Sequence, residues 1–479
     1  MKRVQYGESE SKRVRLNLFD KMQDGQRDDF SLDYGSPKIC VNFLTKNNKL
    51  ENGYGFSVFK QPTSEDGQET DYTIRGTEVK ALYPFKWYDS QSGKNVYVLY
   101  YFNNEKNLCF DNLFGERPAT FIHPTTFTDI PAGCPYVVDG QDAMIFSGEG
   151  DALYVVTGSY DEEVDSAPVL LSVCTHYDKL FAITAGARRS LVYTENLDIL
   201  TWNDEETSHL SFSDSQGNLN KIISFNDYLY LFRDFGITRV SSYSSESDFS
   251  VSHLYQADGY IFPGSIAQGG DKVYFLEKSG LKEFNGSSVK DIAPLTKELF
   301  EGQENKYCSG ACFEGKYYLA CKLSLGQSSG ENNALLVYDS QSEDVTICTG
   351  MNIKQLQVLP NPIKSKLIAC FYGTHKDKIG QISQDGKLFG QDLEKVWQSA
   401  WTDFGENGMK KIVLFSLLTK FDCTITISSD VEEKSFFLHG SDKVQEKNIC
   451  VLGKVFQISI VSNGQADISN VQLEFKSNK

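Results

Sequence analysis

The chain has 479 residues, of which 40% are hydrophobic and 23% are charged, so it can bury a core and is not disordered overall. This length is too great for one ordinary core and predicts two or three domains, unless a repeat architecture carries it. The 64 acidic residues outnumber the 47 Lys and Arg residues, which gives a net charge of −17. That charge argues against tight, nonspecific nucleic-acid binding, which needs clustered cations.

The first thirty residues contain five cations but no apolar stretch of signal-peptide length. The longest apolar run, at 96–102, has seven residues, whereas a span of a bilayer needs about 20. These features predict a protein that is made in the cytosol and has no membrane-spanning segment.

Val14, Leu16 and Leu18 alternate with polar residues, and Phe19 follows, which predicts one exposed strand. This apolar stripe is too short for a core of its own. We therefore expect residues 1–30 to pack poorly on their own subunit and to add as a strand to another chain's sheet edge. On this interpretation Val14, Leu16, Leu18 and Phe19 are the candidate subunit-contact residues. The alternative is that the same strand closes the first or last of the protein's own repeated sheets.

Residues 1–80 are otherwise polar and irregular, and a repeat begins after them. Short apolar runs rich in aromatic and β-branched residues recur about every 45 residues, most of them after a polar turn, and they start at Val96, Leu153, Leu180, Leu229, Val273, Tyr317 and Leu367. Several are followed by a turn and a second strand. A multistranded unit of this period is typical of a β-propeller, which we place at residues 81–396.

The interval of 27 residues from Leu153 to Leu180 is too short for a four-stranded blade. Either one copy is a different strand of the same blade or one blade is truncated, so the sequence predicts six or seven blades. The alternative architecture is a pair of β-sandwiches with accidental spacing.

The repeat ends near Trp397, and closely spaced strands are predicted from there to the end, at 410–419, 422–430, 434–439, 448–461 and 467–476. We interpret residues 397–479 as a small C-terminal β-sandwich-like domain. Some of these strands completing the last blade is the alternative.

Eleven cysteines lie mostly inside apolar, strand-like runs and form no Cys-x-x-Cys pair. We expect buried, reduced thiols without disulfides. A zinc site at Cys308, Cys312 and Cys321 is the alternative, although no histidine lies nearby in sequence to complete it.

The chain contains no catalytic motif in a suitable context. The string Gly326-Gln-Ser328-Ser-Gly330 has the spacing of a nucleophile elbow but lies in a polar loop before a strand, not between a strand and a helix. The adjacent Arg188 and Arg189 fit either a phosphate or carboxylate contact or a solvated hairpin tip. We expect no enzyme activity, no metal and no cofactor.

Several strings resemble β-propeller structural proteins of tailed phages and prophages, over roughly residues 140–479. They are Thr175–Ala182, Ser190–Trp202, Ile222–Arg239, Gly280–Gly286 and Trp401–Gly405 with Lys410-Lys411. In length and architecture the chain also resembles the packaged-DNA stabilisation and tail-nozzle propellers of short-tailed phages.

The resemblance implies a virion structural protein of the head–tail or tail machinery, which forms a homo-oligomeric ring that closes or extends the DNA channel. Its expected partners are portal, adaptor or other tail proteins, and DNA that passes through without tight binding. Its expected location is the virion, after assembly in the host bacterial cytoplasm. The alternatives are a tail-tip adhesin for glycan or host protein, marked by exposed aromatics around one propeller mouth, and a propeller hydrolase or lyase.

Overall fold

A computed structural model describes residues 10–16, 18, 37–62, 69–113, 120–138, 140–148, 153–158, 161–164, 167–177, 179–194, 207–241, 249–325, 330–361 and 363–477. The fold is all-β. In the described residues helical structure is limited to α1 (Lys297–Phe300) and three single 3-10 turns, at Pro263–Ser265, Pro294–Thr296 and Gly373–His375.

The first eighty residues contribute seven strands: β1 (Glu10–Arg15), β2 (Pro37–Val41), β3 (Phe43–Lys46), β4 (Lys49–Asn52), β5 (Gly55–Val58), β6 (Lys60–Pro62) and β7 (Glu69–Asp71). Only β6 and β7 pair with each other alone. The other five are incorporated into sheets formed by distant parts of the chain.

Five antiparallel sheets of four strands then follow in chain order. Sheet 1 contains β8 (Val79–Asp89), β9 (Lys94–Asn103), β10 (Asn107–Asn112) and β11 (Thr120–Thr126). Sheet 2 contains β12 (Ala132–Val138), β13 (Gln141–Ser147), β14 (Leu153–Thr157) and β15 (Asp161–Val164). Sheet 3 contains β16 (Leu170–His176), β17 (Lys179–Thr184), β18 (Ser190–Thr194) and β19 (Thr207–Ser211).

Sheet 4 contains β20 (Leu219–Phe225), β21 (Tyr228–Arg233), β22 (Gly236–Ser241) and β23 (Ser250–Gln256). Sheet 5 contains β24 (Ala267–Gly269), β25 (Lys272–Glu277), β26 (Gly280–Phe284) and β27 (Val289–Asp291). Sheet 6 has the same four-stranded order, in β28 (Ser309–Phe313), β29 (Lys316–Cys321), β30 (Ala334–Asp339) and β31 (Val345–Thr349), but its last strand continues into further strands described below.

Sheet 7 is completed by a strand from the N-terminal segment. It contains β32 (Ile353–Leu359), β33 (Lys366–Phe371) and β34 (Ile379–Ser383), and its fourth strand is β5, which pairs antiparallel with β34. The short strands β35 (Lys387–Leu388) and β36 (Gln391–Asp392) extend this sheet beyond β5. The beginning of the chain is thus fixed to a strand more than 300 residues away.

Side chain-to-backbone hydrogen bonds join neighbouring sheets in order from 1 to 7 and from 7 back to 1. They are Tyr83 Oη to Pro131 O, Leu170 N to Ser147 Oγ, Ile222 N to Ser172 Oγ, Lys221 Nζ to Ile266 O, Tyr317 Oη to Ser265 O, Leu356 N to Ser309 Oγ and Leu82 N to Gln355 Oε1. Apolar clusters fill the same junctions. The sheets therefore follow one another around a closed ring, which is the arrangement of a β-propeller.

The last eighty residues form two further sheets with the N-terminal strands. The strands are β37 (Lys395–Ser399), β38 (Lys410–Thr419), β39 (Cys423–Ser429), β40 (Glu433–Leu438), β41 (Gln445–Gly453), β42 (Phe456–Ser462) and β43 (Asp467–Ser477). One sheet has the order β3-β4-β43-β38-β41, with β1 also on β43, and the other continues from β31 as β2-β37-β42-β39-β40. Their inner faces share one core, so we call them the C-terminal sheet pair.

The repeat that the sequence predicts corresponds mainly to second strands. Six of the seven predicted runs lie in β9, β17, β21, β25, β29 and β33, each the second strand of its sheet. The run at Leu153 is instead β14, the third strand of sheet 2, and the second strand is β13. Of the two explanations for the short interval, the structure supports a different strand of the same sheet.

The structure corrects the expectation for the N-terminal segment. Residues 10–15 pair along β43 of the same chain, and Leu16 and Leu18 are 1% and 2% exposed within the core of the C-terminal sheet pair. The expectation of poor packing on the same subunit is therefore wrong for residues 10–16 and for Leu18. The alternative, a strand that belongs to the protein's own fold, fits better, although it joins the C-terminal sheet pair and not the first or last sheet of the ring.

Candidate functional site

The predicted subunit-contact residues Val14, Leu16 and Leu18 lie together on one side of the β1 segment. Val14 is opposite Leu473 in the pairing with β43 and packs partly against the shared core. The amide of Leu16 donates to Val471 O at 2.9 Å, and that of Leu18 donates to the side chain of Asn48. Phe19 lies outside the described residues. The alternation read from the sequence thus marks a buried face.

The opposite side of β1 carries charge and pairs with acidic groups of the C-terminal sheet pair. Lys12 pairs with Glu406, and Arg13 reaches Glu474 at 3.4 Å, while Ser11 donates a hydrogen bond to the same Glu474. The hydrogen bond from Lys12 lowers the pKa of Glu406, and that from Ser11 lowers the pKa of Glu474. These contacts are solvent-exposed, so they fix register and orientation more than they stabilise the fold.

β1 lies at the edge of its sheet. Within the described residues β43 is the strand that pairs with it, and its other edge has no strand partner. By contrast β2 lies between β31 and β37, inside a sheet. An edge strand can leave or be replaced without breaking other strand pairs, whereas an internal strand cannot.

The centre of the ring is lined by first strands and holds a buried ammonium group among thiols. Lys221 of β20 donates to Ile266 O at 2.6 Å, and burial lowers its pKa. Cys134, Cys174 and Cys312 lie on first strands β12, β16 and β28, and burial raises the pKa of each thiol, to about 11 for Cys174 and about 12 for Cys312. Thiols held in the protonated form are poor nucleophiles, so this arrangement is not that of an activated cysteine.

Arg188 and Arg189 lie in the turn between β17 and β18 and have different environments. Arg188 donates to the side-chain oxygen of Asn220, whose amide in turn donates to Asp234 at 2.9 Å. Arg189 is exposed. The pair therefore combines a hydrogen-bonded residue with a solvated hairpin tip.

The sequence analysis missed two buried charged residues, Arg233 and Glu277, each at the end of a second strand. Arg233 is fully buried, and its guanidinium donates to Asp214 Oδ2 and to Gly217 O, both at 2.7 Å. Glu277 is also fully buried and accepts from Tyr255 Oη at 2.5 Å. A charged residue that directly ends an apolar run, as in the strings LYLFR and VYFLE, is the sequence signal for both.

These charged residues hold the connectors between sheets. Arg233 binds the connector that leads from β19 into β20, and Glu277 accepts from Gly259 N at 3.1 Å in the connector from sheet 4 to sheet 5. Where a carboxyl pKa is shifted in the described part of the chain, it is lowered, as for Asp214, Asp339 and Asp467. A general acid needs the opposite shift, so these carboxylates act as structural ion-pair and hydrogen-bond partners.

The described residues contain no group of three or more His, Cys, Asp or Glu side chains able to hold a metal ion. Of the predicted zinc alternative, Cys312 donates weakly to Ala267 O, and Cys308 and Cys321 are buried with raised pKa values. All eleven cysteines are free, and seven of them are buried, which confirms the predicted burial of most thiols. In the part of the chain that is described, no helix is long and apolar enough to cross a membrane.

The most exposed aromatic side chains are distributed over three places. Two lie near turns between first and second strands, two lie on the opposite face of the ring, and two lie on the C-terminal sheet pair: Tyr88, Tyr177, Phe235, Tyr307, Phe421 and Phe437. Glycan recognition favours aromatic platforms concentrated at one mouth of the ring, and this distribution is different.

A groove of about 650 Å³ lies at the end of the C-terminal sheet pair between the turns at 420–422 and 462–465. Phe421 and Phe437 line it and are 41% and 52% exposed. His439 stacks edge-on against Phe437, with the ring centroids 4.9 Å apart, and its Nδ1 is 3.6 Å from Asp422 Oδ1. The groove is mixed in polarity and open to solvent.

No protein-family model and no curated protein sequence matches the chain. Many solved structures do, among them β-propeller proteins. BBS1N in complex with ARL6DN, in a mercury-soaked crystal, has 12% identity and a TM-score of 0.41 over 68% of this chain and 95% of that chain. BamB from Moraxella catarrhalis has 9% identity and a TM-score of 0.39 over 71% of this chain and 93% of that chain. Similarity at this level carries no argument about function.

Proposed function

We propose that this chain is a structural protein of the head–tail or tail machinery of a phage particle, and that its copies form a ring that closes or extends the DNA channel. The resemblance of the sequence to phage propeller proteins suggests this class. The observation that carries the proposal is the stiff connection between the propeller-like ring and the C-terminal sheet pair, because a ring subunit needs a fixed angle between its contact surfaces.

The connection is a continuous sheet and a shared core. Val41 of β2 pairs in parallel with Ile347 of β31, the last strand of sheet 6. Asn42 follows with a φ of 61° and is 2% exposed; it accepts from Thr349 N at 2.9 Å and donates to Glu394 O at 2.7 Å. A flexible linker between independent domains would provide none of these contacts.

The finer architecture belongs to the same proposal. We interpret the seven sheets as the blades of a seven-bladed propeller, of which β5 closes the last, and the C-terminal sheet pair as a small β-sandwich. The two parts are then tied together by the N-terminal strands, since β1 to β4 serve the sandwich and β5 serves the propeller.

The remaining assignments follow from this function. Portal, adaptor or other tail proteins are the proposed neighbours, and the virion is the proposed location, after assembly in the bacterial cytoplasm. The net charge of −17 suits a channel through which DNA slides, because phosphates and carboxylates repel each other. The proposed role is not enzymatic, which agrees with the lowered carboxyl pKa values and the protonated thiols at the centre of the ring.

The test is the assembly state of the purified full chain. Mass photometry and negative-stain electron microscopy across a concentration series should give a closed ring of defined copy number. A chain that stays monomeric at all concentrations would contradict ring formation by this protein alone. Binding to a glycan array, lost in F437A and retained in the matched variant F436A of the same strand, would instead support the adhesin alternative.

A further inference from the structure

The pairing of β1 with β43 has the features of a strand that copies of a protein exchange. We propose that in the assembled ring β1 of each copy pairs with β43 of its neighbour, so that the partner bound at this sheet edge is a second copy of the chain. This inference rests on the proposed function, since it requires assembly.

The receiving site is built almost entirely from the end of the chain. Six residues of β1 pair with residues 472–477, Leu16 N binds Val471 O, and Lys12 binds Glu406. From before residue 62, the described contact is Asn48, which accepts from Leu18 N. Nothing in the immediate sequence neighbourhood of β1 therefore ties it to one particular copy of the site.

The tether between β1 and the next described strand is long. Eighteen residues separate Leu18 from Pro37, the first residue of β2. An extended chain of that length spans roughly 60 Å, more than the diameter of a small domain. Because β2 is held inside a sheet, the tether has one fixed end and one end at a replaceable edge strand.

Exchange preserves every contact. The same backbone pairs, the same burial of Leu16 and Leu18 and the same ion pairs form whether β43 belongs to the same copy or to the next. The balance is then set by the tether and by the local concentration of neighbouring copies, which reaches the millimolar range when copies are held side by side. Swapping an identical element is for this reason a low-cost route to oligomers.

Charge favours the segment finding such a site on an acidic neighbour. Residues 1–15 contain five Lys or Arg and two Glu, on a chain whose net charge is −17. Two of the cations contact glutamates at the site. Opposite net charge accelerates the encounter between segment and site, and the register of the strand pair then fixes the geometry.

Disulfide trapping between two different copies tests the exchange. Ser11 and Lys476 are directly opposite each other in the strand pair, and both are exposed. S11C chains and K476C chains are co-expressed, and assembled rings are oxidised with copper phenanthroline. Exchange predicts a covalent S11C–K476C dimer, and the double variant S11C/K476C should give covalent multimers. S11C with E433C, which lies exposed on the other sheet, and the wild-type chain are the controls.

The outcomes separate this inference from the proposed function. Rings in which S11C/K476C forms only an intramolecular disulfide would overturn exchange and leave ring assembly standing. A chain that remains monomeric, with only the intramolecular disulfide, would overturn both. Melting temperatures of the single variants equal to that of the wild type show that neither substitution disturbs the fold.

Discussion

The backbone amide of Leu82 donates to Oε1 of Gln355 at 2.7 Å, and the amide group of Gln355 returns a bond to Leu82 O at 3.3 Å. One residue begins the ring in sheet 1 and the other lies in sheet 7, so a single side chain satisfies both backbone groups of Leu82 where the ring closes. Sheet 7 also packs on sheet 1 through a shared apolar cluster.

We expect Gln355→Ala to lower the free energy of unfolding by about 1–3 kcal/mol, because it leaves the amide and carbonyl of Leu82 unpaired in a buried junction. Gln357→Ala is the matched control, since Gln357 is on the same strand and at most a change of about 0.5 kcal/mol is expected. Chemical denaturation followed by tryptophan fluorescence measures both. Equal stability of the two variants would show that this bond does not contribute to closure.

The ring could be predicted from the sequence because its signal is local and repeated. Each second strand is a short apolar run after a polar turn, as at Leu229 and Val273. Sheet 2 broke the pattern because its second and third strands, β13 and β14, are both apolar runs. The closing strand β5 pairs with β34 across the length of the chain, and no local feature of Gly55–Val58 announces that partner.

The candidate site was predictable in part for a similar reason. The alternation of Val14, Leu16 and Leu18 reveals a strand with one apolar face, but a period of two does not say which sheet buries that face. The acidic partners Glu406 and Glu474 lie at the other end of the chain. Charge alone could not single them out among 64 acidic residues.

We expect Arg233→Met to destabilise the protein by about 3 kcal/mol at pH 7, the lower end for breaking a buried ion pair. The reason for the lower value is that Asp214, with a side chain 30% exposed, keeps access to water when Arg233 is removed. Arg239→Met, on the neighbouring strand, is the matched control for loss of a guanidinium that stacks on a ring. Urea denaturation measures the free energy of unfolding of each variant.

The destabilisation by Arg233→Met should depend on pH. Burial alone would raise the pKa of Asp214, but the hydrogen bond and charge of Arg233 outweigh it and lower the pKa in the folded state. A carboxyl group with a lowered folded pKa stabilises the protein above its unfolded value of about 3.9, and this contribution is lost as the pH falls through the folded value. The difference between wild type and variant should therefore shrink below about pH 4. A constant difference from pH 7 to pH 3 would exclude Asp214 as the group responsible.

Among the cysteines, Cys450 should be the one that reacts rapidly in the native state. It is partly exposed on the edge strand β41, whereas seven others are buried and Cys134, Cys174 and Cys312 line the centre of the ring, where burial raises their pKa values. Titration with Ellman's reagent without reductant should show one fast thiol, which is absent in C450S, and eleven thiols after denaturation. A fast phase that persists in C450S, or fewer than eleven thiols, would contradict this assignment.

Leu16 should contribute to the stability of the protein as an ordinary core residue does. It is 1% exposed in the core of the C-terminal sheet pair, and truncation of a buried leucine to alanine costs about 2–5 kcal/mol. Arg15→Ala, one residue earlier and exposed, should change the free energy of unfolding by at most about 0.5 kcal/mol. Deletion of residues 1–25 should accordingly lower the melting temperature, because it removes β1, Leu16 and Leu18 together. An unchanged melting temperature in the deletion variant would mean that the C-terminal sheet pair is stable without the N-terminal strand.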